Sequence, residues 1–333
     1  MANRKLGCLS IFLFVVLCVS VLINMVLAAT ALSRFSGTKQ IQERQPLFRE
    51  VVVERGKGSD KVAVIPLRGL ISSTLPGAVG DSMVDDLRAA LEQAREDDDV
   101  RAVVLEIDSP GGEVTASDVI YNAVVKTRAK KPVVVHMGSV AASGGYYIAC
   151  GGKYLMVHDT TITGSIGVII QTLNYEQLFN KVGLASVVFK SGKFKDMLSG
   201  ARPITPEERE YVQGFVMGTY EKFLGIVAKE RNLPADSLRD TIADGRILSG
   251  RDARDNKLID ALGQLEDAFG KAKELGNAPD ATIVKYGPPV TLGRFLRALT
   301  QPTDTKIELT LPKQLVPQLE SGRAYFLPSY YAP

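Results

Sequence analysis

The sequence predicts an α/β fold with a largely parallel sheet. Two observations lead there: short β-branched runs alternate with segments of helical apolar spacing, and glycine-rich turns stand where the strands end. With 333 residues and 45% hydrophobic content, the chain suffices for one large or two modest domains. A net charge of +3 on scattered Lys and Arg makes no case for nucleic acid as a partner. Cys8 and Cys18 fall in an apolar N-terminal run, leaving Cys150 without a disulfide partner. Neither His136 nor His158 belongs to a Cys/His ligand spacing, so no metal or other cofactor is expected.

Residues 1–32 carry the uncharged run LGCLSIFLFVVLCVSVLINMVLAATAL after Arg4 and Lys5, long enough as a helix to span a bilayer core of roughly 30 Å. It is expected to be a single transmembrane signal-anchor. The following domain is expected outside the cytoplasm, because large trailing domains translocate largely regardless of flanking charge. The competing reading is a cleaved signal peptide, since Ala29-Thr30-Ala31 has the small-x-small pattern, but the run exceeds the usual apolar region. Residues 33–60 turn polar and charged and read as a stalk.

A domain over 61–280 opens with the strand KVAVIPL, followed by a helix in DSMVDDLRAALEQARED with Asp81 as candidate N-cap and Val84, Leu87, Leu91 and Ala94 at helical spacing. The strand RAVVLEI runs into Asp108-Ser109-Pro110-Gly111-Gly112 and a helix carrying Val119, Ile120, Ala123 and Val124 on one face. The apolar runs PVVVHM, KYLMVH, GVIIQ and SVVFK read as further strands. Thr205-Pro206-Glu207-Glu208 is a capping box with Pro at the first helical position, starting a long helix with Val212, Phe215, Val216, Phe223 and Val227 on its apolar face. QLEDAFGKAKELG closes a helical subregion, and a Pro-rich C-terminal extension over 281–333 reads as irregular with room for one strand.

The chemistry centres on HMGSVAASGGYYIAC, where Ser143 stands between a buried strand and a helix. A serine in such a turn presents its hydroxyl at the mouth, with a helix N-terminal amide behind it. A serine nucleophile needs a base within hydrogen-bond reach. His136 lies in the strand itself and His158 at the end of another, so both read as structural. Lysine is the other option, provided its amine is desolvated enough to lower its pKa from about 10.4. FKSGKFKDMLSG supplies Lys190, Lys193 and Lys195, and spacing does not choose among them; Asp196 beside Lys195 works against a lowered pKa. Gly111 and Gly112 offer amides free of side-chain obstruction for an oxyanion, and Ser165 in TGSIG offers a hydroxyl able to hold an amine.

From about Lys61 to Gly276 these residues resemble the membrane-bound signal peptide peptidases of the SppA type, which are serine proteases with a Ser/Lys dyad. The resemblance rests on DSPGGEV, SVAASGGYYIA, TGSIGVI and KSGKFKD, in that order. It implies Ser143 as nucleophile, Lys195 as general base, Ser165 as the hydroxyl orienting the lysine, and Gly112 and Gly144, with Gly111 beside them, as the oxyanion hole. It implies a Clp-protease/crotonase-like ββα spiral core with an outlying helical part, assembled as a homo-oligomeric ring or dome in which neighbouring protomers help complete the site. The implied substrates are apolar peptides left in the lipid bilayer, a plasma membrane of bacterial type, after signal-peptide cleavage, together with misfolded exported protein. Asp255-Asn256-Lys257 departs from the small apolar, glycine-containing segment expected there, which bears on packing. The rival readings are a related Ser/Lys membrane protease that cuts a specific membrane partner, and a crotonase-fold acyl-CoA enzyme, in which the anchor and lysine cluster have no role.

Overall fold

The computed structural model describes residues 14–26, 48–73, 82–287 and 325–326. The chain falls into two units, Met1–Gln45 and Pro46–Pro333. In the first, residues 14–26 form helix α1, about 20 Å long at 1.5 Å per residue. Its side chains are exposed and almost wholly apolar, Phe14, Leu22 and Met25 among them. Asn24 satisfies its amide locally by donating to the Ser20 carbonyl at 2.8 Å. Among the described residues no helix is long and apolar enough to cross a membrane; the remainder of the expected anchor lies outside them.

The second unit begins with β1 (Glu50–Glu54) and β2 (Lys61–Arg68), then α2 (Met83–Glu96), β3 (Val100–Ser109), β4 (Gly112–Glu113) and α3 (Val114–Arg128). β5 (Val133–Ala142), α4 (Gly144–Ala149), β6 (Tyr154–Val157) and β7 (Ile162–Gly164) complete the central part. The peripheral part comprises α5 (Glu176–Lys181), α6 (Pro206–Arg231), α7 (Ala235–Thr241), β8 (Ile247–Ser249), α8 (Gly250–Asp255), β9 (Ala261–Leu262) and α9 (Leu265–Leu275). β10 (Thr282–Tyr286) and β11 (Tyr325–Phe326) follow.

The expected α/β sheet is present, in the order β1-β10-β2-β3-β5-β6-β9, and its central pairings are parallel. Period-two alternation explains its two cores. Val103, Leu105, Val133, Val135 and Met137 face α2, α3, α4 and α6, while Val62, Val64, Val104 and Val134 face Phe269 and Ala272 of α9. β5 is long enough to serve two partners. Its first half, Val134–Met137, pairs with β6, and its second half, Val140–Ala142, pairs with β7. Gly138 lies between them, where the register of β5 against β3 also shifts.

Several expectations change. The main sheet extends into both flanking segments: β1, within the expected stalk, pairs antiparallel with β10, within the expected extension, and β10 pairs parallel with β2. Neither GVIIQ nor SVVFK forms a strand, and every residue of SVVFK is exposed among the described residues. The α2 N-cap is Ser82, whose hydroxyl accepts from the Asp85 amide, and Asp81 lies outside the described residues. The capping box of α6 is present, with Thr205 and Glu208 bonded reciprocally, but only the C-terminal half of the apolar face is buried, through Phe223 and Val227. Phe215 remains 57% exposed.

Candidate active site

The site is assembled by three chain reversals at neighbouring strand ends. The first is the end of β5. Ser143 follows Ala142 with φ 53 and ψ −115, a conformation that non-glycine residues avoid and that tertiary contacts must hold. Those contacts are its own amide, donating to the Gly164 carbonyl at 2.8 Å, and its carbonyl, accepting from Tyr147 of α4 at 2.8 Å. Such a strained elbow between strand and helix is the setting of an activated serine. Ser143 is fully buried, and its Oγ has no hydrogen-bond partner among the described residues.

The second reversal is the end of β7. Gly164 is in register with Ala142, so Ser143 and Ser165 leave adjacent strand ends side by side. Ser165 is buried with φ 49, and its amide donates to the Arg246 carbonyl at 2.8 Å. The third is the turn after β3. Gly111 accepts from the Ile71 amide and Glu113 donates to the Ile71 carbonyl, both at 2.8 Å. Bonding of that pattern leaves the N–H and C=O of Gly112 facing the other way, toward β11, where Phe326 is its register partner.

Two glycines are required by proximity. A Cβ on Gly112 would lie 1.9 Å from the Ile71 carbonyl oxygen, and one on Gly144 would lie 2.6 Å from Ser117 Oγ and 3.1 Å from the Gly112 amide nitrogen. The Gly112 amide is therefore packed against the residue that follows Ser143. The Gly144 amide opens α4 and has no intrahelical acceptor by position. Ser109 Oγ accepts from Gly111 at 3.1 Å, and Ser117 Oγ donates to the Glu113 carbonyl at 2.8 Å, fixing the turn from both sides. Ile71, Ser109 and Ser117 were not legible as site residues; only Ser109 and Ser117 carried a hint, flanking the Gly-Gly pair at turn and helix-start positions.

The structure thus brings together Ser143, Ser165, Gly111, Gly112 and Gly144. It does not bring Lys195 to them. Lys195 lies in residues 171–199, an arm with no buried residue, and among the described residues its ammonium has no hydrogen bond or ion pair. His136 and His158 pack edge to face with ring centroids 4.8 Å apart, and both nitrogens of the buried His136 ring lack partners among the described residues. Burial is the main cause, and the facing His158 ring the second, of a His136 pKa below the ordinary imidazole range. Cys150 is buried, and desolvation pushes its thiol up to about 12, which makes it inert.

A family model described as peptidase family S49 matches residues 125–278, and one described as Clp protease matches residues 70–166. A putative signal peptide peptidase SppA of Enterococcus faecium is 34% identical over 261 residues, covering 76% of this chain and 72% of that protein. The chain belongs to peptidase family S49. Within the family it is also similar to the chloroplastic serine protease SPPA of Arabidopsis thaliana, 33% identical over 245 residues, and to Protease 4 of Salmonella typhi, 37% identical over 243 residues. It covers 70% and 72% of itself in those matches but 36% and 38% of the two longer proteins. This S49 peptidase is a hydrolase and a serine protease, with an α/β fold of the Clp-protease-like kind.

Proposed function

We propose that this S49 peptidase hydrolyses apolar peptides, including signal-peptide remnants, through a Ser143–Lys195 dyad. The observation that carries this reading is the buried, unpartnered Oγ of Ser143 on a strained elbow, with the Gly112 amide packed against the following residue. Ser143 Oγ attacks the scissile carbonyl carbon as its proton passes to the Lys195 amine. The oxyanion is met by the amides of Gly112 and Gly144, as developing charge requires, the Gly112 N–H exchanging its β11 partner for the substrate. The ammonium returns its proton to the leaving amine, giving an acyl-enzyme. Water, deprotonated by the same amine, then attacks and releases the acid and Ser143. Ser165, beside Ser143, orients the lysine amine.

The base comes from a second copy of the chain in a homo-oligomer. Ser143 is buried with a free hydroxyl, whereas Lys195 stands on an arm whose Leu173, Val187 and Phe189 are 77%, 76% and 96% exposed. Apolar side chains that far into solvent favour burial against a neighbour. The pairing of Gly112 with Phe326 supports binding of an extended peptide by strand addition to that edge. Residues 6–32 anchor the protein in the plasma membrane with the peptidase outside the cytoplasm, which fits the exposed apolar surface of α1. The test is hydrolysis of a panel of apolar peptides by the full chain and by Ser143→Ala and Lys195→Ala. Each substitution is expected to remove turnover without changing oligomer size, and retained turnover in the lysine variant would exclude the dyad.

A further inference from the structure

The sequence raised an objection to Lys195 as base: Asp196 adjoins it, and a free carboxylate would hold the lysine protonated. The arm removes that objection. Arg202 binds Asp196 as a fork, Nε to Oδ2 at 2.9 Å and Nη2 to Oδ1 at 2.7 Å, and Nη2 also reaches the Asp196 carbonyl at 3.3 Å. Lys190 Nζ donates to the same Oδ1 at 2.7 Å. On its other side Arg202 holds Glu208, the capping-box residue of α6, through Nη1 at 2.9 Å and Nη2 at 2.5 Å. Lys193 is engaged by Glu207 at 2.5 Å. The charges around Asp196 therefore close in pairs, Lys190 and Arg202 against Asp196 and Glu208, and Lys193 against Glu207. Lys195 is left without a carboxylate partner among the described residues.

We infer that Arg202 is a positioning residue for the base: by engaging the Asp196 carboxylate and tying it to the start of α6, it keeps that charge off the Lys195 amine and sets the pH at which the amine is free. The inference rests on the reading of Lys195 as general base. A forked guanidinium suits the task because it occupies both carboxylate oxygens at once, which a lysine does not. The Asp196 carboxyl is held below the ordinary carboxylate range, chiefly by Arg202 and next by Lys190, so it remains ionised and engaged throughout the working pH range. The Glu208 carboxyl, held by Arg202 first and by the Thr205 amide next, is lowered to about 2 and stays charged likewise.

The test is kcat/KM for a fluorogenic apolar peptide against pH, using the full chain and its Arg202→Ala, Arg202→Lys, Arg202→Ala/Asp196→Asn and Lys195→Ala variants. Arg202→Ala leaves Asp196 held by Lys190 at Oδ1 alone and frees Oδ2 toward Lys195, so the acid limb is expected to move up by about one pH unit or more, the effect of an opposite charge at close range. Arg202→Lys, which keeps charge but loses the fork, is expected to fall between. Adding Asp196→Asn to Arg202→Ala is expected to return the limb toward the parent, although the arm still lacks its arginine. A loss of activity at every pH with an unmoved limb, in the single and double variants alike, makes Arg202 merely structural and overturns the inference. Failure of the base reading shows separately, as turnover and an acid limb that persist in Lys195→Ala.

Discussion

Ser143 and its neighbours show how few atoms define the site. The serine's strained backbone is held by one bond to Gly164 and one to Tyr147, and Ser117 Oγ, with the Gly112 amide behind it, fills the space that a side chain on Gly144 would need. Gly144→Ala is therefore expected to push Ser117 Oγ off the Gly-Gly turn, crowd the Gly112 amide and lower kcat/KM by about 10²-fold or more, the cost of losing an oxyanion donor. A steady-state assay beside the thermal midpoint of the same variant separates this from simple unfolding. His136 gives a second residue-scale prediction. Its folded pKa lies below the unfolded value, so the unfolded chain binds the proton first as pH falls. Its contribution to stability is complete above about pH 6.5 and is lost progressively below it. Urea unfolding between neutral and mildly acid pH should show that loss, and His136→Leu should flatten it, since the substitution also removes a buried group without partners. At this scale the turns that hold Ser143, Ser165 and the Gly-Gly pair were legible from local pattern, whereas gathering them into one site rested on the resemblance. Ile71 was not, because its role is to lie beside Gly112 from a segment about forty residues away.

At the scale of elements, the long buried strands and helices were the readable part. β2, β3, β5 and β6 carry largely apolar runs because both sheet faces are covered. β1 and β10 escaped because each is a short strand in a polar or Pro-rich context, and their pairing joins segments far apart in sequence. SVVFK misled in the opposite direction: strand-forming composition without a paired neighbour forms no strand and stays exposed. β11 is the element with a functional consequence. Because Gly112 directs its N–H and C=O toward Phe326, replacing Phe326 with proline removes the donor that returns the pair. The expected outcome is a freer Gly112 edge, seen as a KM for apolar peptides lowered several-fold with kcat little changed. An unchanged KM would separate the edge from substrate binding.

At the scale of the whole molecule, the separation of Ser143 from Lys195 has the largest consequence. A sequence states the order of the motifs but not whether they meet within one chain, and the fold keeps the serine buried while the lysine arm projects with Phe189 almost fully exposed. Phe189→Glu should leave the protomer folded, with native circular dichroism, while reducing the assembled fraction in analytical ultracentrifugation and turnover in proportion. Full activity in a monomeric variant would show that the site is complete within one chain.

The most direct measurement is intact-protein mass spectrometry of the acyl-enzyme formed with an activated peptide ester, with the adduct mapped by digestion. The expected result is one acyl group on Ser143 per active chain, absent in Ser143→Ala and strongly slowed in Lys195→Ala. An adduct on another residue, or acylation of Ser143 at the parent rate in Lys195→Ala, would contradict the dyad.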